Sequence, residues 1–600
     1  MSAGSEFSNK KLIPFTEFQG MTTQVLRQDC PQKKAAWMEN LQPIGANNVR
    51  CTPAATAAIA SLASQGETIT KQFYFDFGLS TDYIACFCLS GAAYTVANPS
   101  GAIVKFANAG TFSATPDVTN WSLQRMLIAD SVAGYCTYDT VAFVKLGGVS
   151  PNITVTAGGS GYSSGATAAS SGGSGSGDTY SVTVVGGVVT AITLLTPGTG
   201  FLPTDTLTLT ITPVSGGTGA TAIAHVWPSV SPNPTTLAIF QGRVFLAQKN
   251  VLTYTGTGAS YGGVGYDDFK TGDAAGTSTI QDTDLAHQIT GLRTFNNYLF
   301  IFGDASVKQI GNLSVASSVT NFTITTLSSD QGTIYRDSIV SYNRLVLFAN
   351  TTGVFAVFGS SVEKISSDMD GIFSATDFTQ APSAAVADIN NIHTFLLLVR
   401  YKDPLNGTRS LMLAFAEKKW YAISQSNSLA FIVNGITNSV FKAYGTSGAD
   451  IIPLLADPMT AVSITLQTSL TSNGEPMIGK SSVQFAVAQS VGNSSVINLL
   501  VQSENPQSAS INYNISNVLN FVNNSQGALQ FINSGGGNLN FITNAAGFFY
   551  RHGNTGGVAG VYLGATLTGN VINFTLNAIL LEYEETSAFG TDQVAYAATL

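Results

Sequence analysis

The eight residues GEPMIGKS, Gly474 to Ser481, satisfy the pattern G-x-x-x-x-G-K-[ST] in full. A phosphate loop needs a strand before it and a helix after it, because the helix N-terminus supplies the amides and dipole that hold phosphate. Here the continuation SVQFAVAQSV alternates as a strand does. Nucleotide chemistry is therefore not expected, and Lys480 reads as dispensable. DMDG, Asp368 to Gly371, is a fragment of a calcium loop, and most such fragments are ordinary turns. The five cysteines (Cys30, Cys51, Cys86, Cys88, Cys136) form no C-x-x-C pair and stand near no histidine at ligand spacing, so buried free thiols are expected.

SSDQGTIY, Ser328 to Tyr335, resembles the Asp box of sialidase-type propellers, S-x-D-x-G-x-x-W, with Tyr335 in place of Trp. In those enzymes the box is a turn that stiffens a blade; they repeat it and add an arginine cluster. This chain has one copy, no aligned arginine cluster and four scattered histidines, His225, His287, His393 and His552. Nothing in the spacing points to a carboxylate pair for glycoside hydrolysis. No catalytic residue, cofactor or metal site is expected.

The elements around these motifs are strands. Asp, Glu, Lys and Arg make up only 10% of 600 residues, against roughly 25% in an ordinary soluble domain. A surface so poor in charge suits burial against neighbouring subunits. The net charge of −9 is the opposite of what gripping phosphates demands. MSAGSEFSNKKLIPF lacks an apolar core of signal-peptide length and no stretch approaches a membrane span, so synthesis in a reducing cytoplasm is expected. QKKAAWMENL reads as one short helix. KQFYFDFG sets Phe73, Phe75 and Phe77 on one strand face, and TDTLTLTITP does the same with Leu207, Leu209 and Ile211.

From Ala157 to Asp178, 15 of 22 residues are Gly or Ser, a break in the composition of the chain. ITVTAGGSGY (Ile153 to Tyr162) nevertheless returns as ITLLTPGTGF (Ile192 to Phe201), and GGSGSGDT is echoed by GGTGATA. Residues 151–226 thus read as an inserted two-copy β module rather than a linker. From residue 229 a longer period appears. AIFQGRVFLAQKNVLTY, RTFNNYLFIFGDASVKQI and VSYNRLVLFANTTGVFAV align on Phe240, Phe295 and Tyr342, each followed by a polar turn and an apolar strand, and a fainter copy begins at NNIHTF. Repeats of 40 to 50 residues with about four strands each are the mark of β-propeller blades.

The expected fold is all-β: an opening segment for attachment (1–68), first blades (69–150), the Gly/Ser-rich β insertion (151–226), remaining blades (227–457) and a C-terminal β-sandwich-like domain (458–600). Within the last, residues 511–544 carry L-x-F-[VI]-x-[NS] three times, opening at Leu519, Leu529 and Leu539. Successive copies are expected to pair as a small meander or a stack of rungs. Phe521, Phe531 and Phe541 would lie on the inward face, with Asn520, Gln530 and Asn540 outward. No charged residue falls between Glu504 and Arg551, which suits an arm buried against neighbouring subunits or facing a channel.

Three stretches carry a family resemblance: Phe240 to Phe269, ITGLRTFNNYLFIFGDASVKQIGN, and DQGTIYRDSIVSYNRLVLFANTTGVFAVFGSSVEKIS. They resemble the tail nozzle proteins of short-tailed bacteriophages, also called tail tubular protein B or phage stabilisation proteins. FQGMTTQVLRQDCPQKKAAWMENLQPIGANNVRCTP is similar to that family's opening segment. TSLTSNGEPMIGKSSVQFAVAQ and GVYLGATLTGNVINFTLNAILLEYEE are similar to its closing domain.

The resemblance implies a structural virion protein at the tail tip, assembled in the host bacterial cytoplasm as a homo-oligomeric ring, expected to be a hexamer. Such a ring would sit below the head-to-tail adaptor and portal, hold the packaged genome, pass viral DNA without sequence-specific binding, and dock tail fibres. Residues 151–226 would then meet host surface glycan or act as a spacer. The alternative is a propeller that binds or cleaves glycan, as a receptor-binding protein or depolymerase.

Overall fold

The computed structural model describes the chain apart from residues 1–9, 78–80, 146–147, 202–204, 227–232, 257–264, 270, 281–284, 286–287, 405–406, 426–427, 491–494, 506–507, 516–517, 520, 523–527, 530, 533–537, 540, 543–548, 556 and 589–600. Among the described residues, seven antiparallel four-stranded units follow one another as blades of a β-propeller, over 69–107, 117–145, 236–279, 289–328, 340–364, 383–423 and 431–454, the last completed by residues 60–61. The aligned repeats mark the start of blades. Phe240, Phe295 and Ile389 each end an innermost strand, and the next two residues turn the chain. A two-residue hairpin that matches strand twist needs positive φ at both positions. Asn tolerates this best among residues with a side chain. Asn296 and Asn297 sit at 48° and 61°, and Asn390 and Asn391 at 49° and 65°.

The blades close into a circle through a succession of apolar interfaces. Blades 1 and 2 share Phe75, Phe87, Met126 and Tyr138. Blades 3 and 4 meet through Phe240, Phe245, Leu299 and Ile301, and blades 4 and 5 through Phe302, Val307, Phe348 and Val357. Blades 7 and 1 meet through Tyr444, Ile451, Ile69 and Ile84. Blade 7 takes its outer strand from near the chain start: Ala60–Ser61 pairs antiparallel with Asp450–Leu454. The ring is thereby latched by a strand made almost 400 residues before its partner.

The insertion lies between blades 2 and 3. One four-stranded sheet is built from Val149–Ser160, Thr218–Val226, Leu207–Thr212 and Thr167–Ser171, and a hairpin from Ser176–Val185 and Val188–Thr199 packs with it. Leu207, Leu209 and Ile211 alternate inward against exposed threonines, as the pattern of two requires. The two sequence copies use glycine alike. A Cβ at Gly217 would stand 2.8 Å from the Tyr162 ring, and one at Gly173 2.9 Å from the Phe201 ring. Each buried aromatic thus lies directly on a glycine backbone. The module also shares one apolar cluster with blades 2 and 3, where Val149 and Val226 join Leu127, Tyr135, Leu237 and Val244.

The closing domain is a sandwich, and the opening segment is woven into it rather than standing apart. One sheet runs Ala35–Glu39, Val462–Thr468, Leu563–Val571, Ser495–Ser503 and Ser508–Ile515. The other contains Leu41–Ile44, Asn48–Cys51, Thr575–Ala588, Ile478–Ser490 and Phe549–Asn554, with Lys10–Phe15 on its long central strand. Met38, Leu466, Leu499 and Leu567 face Phe485, Val487, Ile579 and Leu581 in the shared core.

The stretch expected as a helix, QKKAAWMENL, is instead the strand Ala35–Glu39. Pairing with Val462–Thr468 and burial of Ala35 and Met38 override a helix-favouring composition. Glu39 also pairs in parallel with Ala422, so blade 6 and the first sandwich sheet form one continuous nine-stranded sheet.

The threefold repeat folds neither as a meander nor as a stack. Each copy is split: its first half pairs with one neighbouring copy and its second half with the other. Phe521–Val522 pairs with Ala528–Leu529, Phe531–Ile532 with Asn538–Leu539, and Phe541–Ile542 with Val518–Leu519. The three two-stranded sheets therefore close cyclically, and each repeat Leu is in register with the Phe of another copy. Asn520, Gln530 and Asn540 lie outside the described residues.

Candidate functional site

The motifs singled out by spacing resolve into structural roles. Lys480 lies on the strand Ile478–Ser490, fully buried, with no helix following it. Its Nζ donates to the carbonyls of Glu475 (2.9 Å), Ile478 (3.1 Å) and Val561 (3.1 Å). The Lys480 ammonium thus ties three backbone carbonyls together, of which that of Glu475 also accepts from the Ile478 amide (3.4 Å).

The Asp-box-like stretch is a turn, in which Ser328 Oγ donates to Asp330 Oδ1 (2.9 Å) and Tyr335 is buried on Phe378. In DMDG, Asp368 accepts from Lys34 Nζ at 2.7 and 2.8 Å and Asp370 pairs with Lys364 at 2.7 Å, so both carboxylates are spent on lysines. All five cysteines are free and buried. Phe521, Phe531 and Phe541 each pair through the backbone with the Leu of another copy, Leu529, Leu539 and Leu519.

The polar cluster that sequence reading did not find lies on the propeller axis. The innermost strands leave a channel with two chambers, of about 610 and 350 Å³, whose walls share Asp117 to Asn120, Leu292 and Arg293. Lys71 comes from blade 1, Asp117 from blade 2 and Arg293 from blade 4; Arg336 and Asp337 come from the turn that leads into blade 5.

Lys71 Nζ donates to Asp337 Oδ1 and lies 4.0 Å from Asp117 Oδ1. Arg336 Nε stands 3.6 Å from Asp117 and 3.9 Å from Asp337. Asp117 also accepts from Thr236 Oγ1 (2.6 Å) and the Leu237 amide (3.0 Å), which joins blade 2 to blade 3. Arg336 reaches the carbonyls of Thr115 and Thr235.

Burial pushes the Lys71 ammonium below its ordinary range despite Asp337 and Asp117. Burial alone would raise the Asp337 carboxyl, but Lys71 and Arg336 outweigh it and hold the group low. Asp337 is therefore ionised at neutral pH, and both carboxylates are engaged by cations, which makes the cluster a brace across the axis. No sequence signal could have assembled it, because each blade contributes one or two residues and the partners are up to 266 positions apart.

No protein-family model matches this chain. No curated protein matches it either. Among solved structures it is similar to BamB from Moraxella catarrhalis, at 10% identity and a TM-score of 0.29 over 65% of this chain and 97% of that one. It is likewise similar to U3-55K, at 8% identity and a TM-score of 0.32 over 65% of this chain and 95% of that one. The assignment of seven blades rests on the sheet topology described above.

Proposed function

We propose that this chain is a structural virion protein, the tail nozzle subunit of a short-tailed bacteriophage. In this reading six copies form a ring at the tail tip that closes the distal end of the DNA channel, retains the genome and passes it at infection. The ring meets the head-to-tail adaptor on one side and tail fibres at its flank. The observation that carries the reading is the resemblance of the stretches at 240–269, 289–312 and 330–366, with the opening and closing segments, to that family.

Two physical features support it. Low charge density suits extensive subunit contacts, and a net charge of −9 suits a lumen that must not retain a moving polyanion. The fused sheet joining blade 6 to the sandwich gives one stiff body for a ring to be built from. Electron microscopy of the purified chain, alone and with the adaptor ring of the same virion, tests the reading. Rings of six 62.5-kDa copies with a central pore are expected. A chain that stays monomeric with the adaptor and depolymerises host glycan would replace this reading with the glycan-cleaving one. Phe531→Asp is expected to weaken the ring more than the fold of one subunit.

A further inference from the structure

The cations of the axial cluster are not engaged equally. Of the cations there (Lys71, Arg293, Arg336), Lys71 and Arg336 hold the close contacts to Asp117 and Asp337, and Asp130 also acts on Arg336. Arg293 is left over: its Nε donates to Ser341 Oγ at 3.2 Å, and among the described residues neither terminal nitrogen has an acceptor and no carboxylate lies within 4.0 Å. Its side chain lines the larger chamber, in a protein whose overall charge is −9. Arg293 is half-buried, so these two donors are open to a molecule in the chamber.

We propose that this chamber binds a small carboxylate of the size of a sugar acid, held bidentately by Arg293. The two terminal nitrogens present the fork that matches a carboxylate's two oxygens. A monoanion sets less negative charge beside Asp117 than a phosphate dianion would. A chamber of about 610 Å³ is within the range of small-molecule sites and far larger than a lone ion requires. Its wall also carries Trp121, half-buried, which offers a flat apolar surface to a ring, and Asn120, whose Oδ1 has no donor. The site is independent of ring assembly, and because Asp117 and Asp337 are already engaged it is a binding site and not a hydrolytic one.

Calorimetric titration of the full chain at low salt with glucuronate, glucose and inorganic phosphate tests this. Glucuronate should bind at least tenfold more tightly than either of the others. Arg293→Gln should weaken glucuronate at least tenfold while melting at or above the wild-type midpoint, since among the described residues Arg293 has no ion pair within 4.0 Å to lose. Thr119→Trp, which fills the chamber and leaves Arg293 in place, should also abolish binding. Failure of the wild-type chain to bind glucuronate, equal binding of glucose or phosphate, or undiminished binding by Arg293→Gln would each overturn the proposal. A lower melting point for Arg293→Gln with unchanged titration would assign Arg293 to the axial brace alone.

Discussion

The interlocked body and the inserted module solve the same problem, holding β-strands together, in opposite ways. In the body, strands from residues 10–61 are completed by partners hundreds of positions away, and the joints are locked by buried ions. At the junction of blade 6 and the sandwich, Arg409 donates to both Glu39 oxygens (2.6 and 2.9 Å) and to Asp403 (2.9 Å), and Trp37 Nε1 adds a bond to Glu39 (2.8 Å). In residues 151–226 there is no Lys or Arg, and all strand partners within the module lie inside it. Local pairing needs only alternation and turn glycines, whereas distant pairing adds charged contacts that specify which strand belongs where.

The comparison is broken most severely by removing residues 1–62. This takes strands from both sandwich sheets and the outer strand from blade 7, so loss of soluble protein is expected. A soluble, cooperatively unfolding truncate would show that the distant strands are accessory. Next is Arg409→Ala, which strands Glu39 in a largely buried site. A loss of about 3–5 kcal/mol is expected in chemical denaturation. Burial would raise Glu39, but hydrogen bonds from Arg409 hold its carboxyl below the ordinary value. With the folded value depressed, this contribution is complete above the unfolded glutamate value of about 4.3 and fades as pH falls below it. The wild type and Arg409→Ala should therefore converge in stability at low pH.

Lys480→Ala removes a donor shared by three carbonyls and should cost about 2 kcal/mol, read from the same denaturation curves. Replacing 151–226 by a short Gly-Ser bridge should have the smallest effect. The exposure of Leu127, Tyr135 and Leu237 would lower the thermal midpoint by about 2–5 °C with the remaining fold intact. An unchanged midpoint would mean that the shared core at Val149 and Val226 contributes nothing.

What the sequence disclosed follows the same division. The blades at Phe240 and Phe295, the inward face of Leu207, Leu209 and Ile211, and the strand after Lys480 could be read because alternation and turn residues act over a few positions. Residues 32–41 misled because local propensity favours a helix there, while the pairing that decides the matter comes from residues 462–468. The repeat arm was readable as strands but not as a closed triad, since periodicity gives spacing and says nothing of which copy meets which. The axial cluster had no local signature at all: Lys71 and Asp337 are ordinary residues until seven blades bring them to one axis.

The latch at Ala60–Ser61 and the edge strand Lys10–Phe15 also set a timetable for synthesis. Lys10 pairs opposite Glu584, so at about 5–20 residues per second the first strand leaves the ribosome roughly half a minute to two minutes before its partner exists. During that interval its open edge is available to any other nascent chain. Six of the chain's 26 Lys and Arg residues fall within the first 50 positions, among them Lys10, Lys11, Lys33 and Lys34. Positive charge on waiting strands opposes edge-to-edge pairing between chains emerging side by side on one messenger. Charge that is scarce elsewhere is concentrated where the polypeptide must stay unpaired longest.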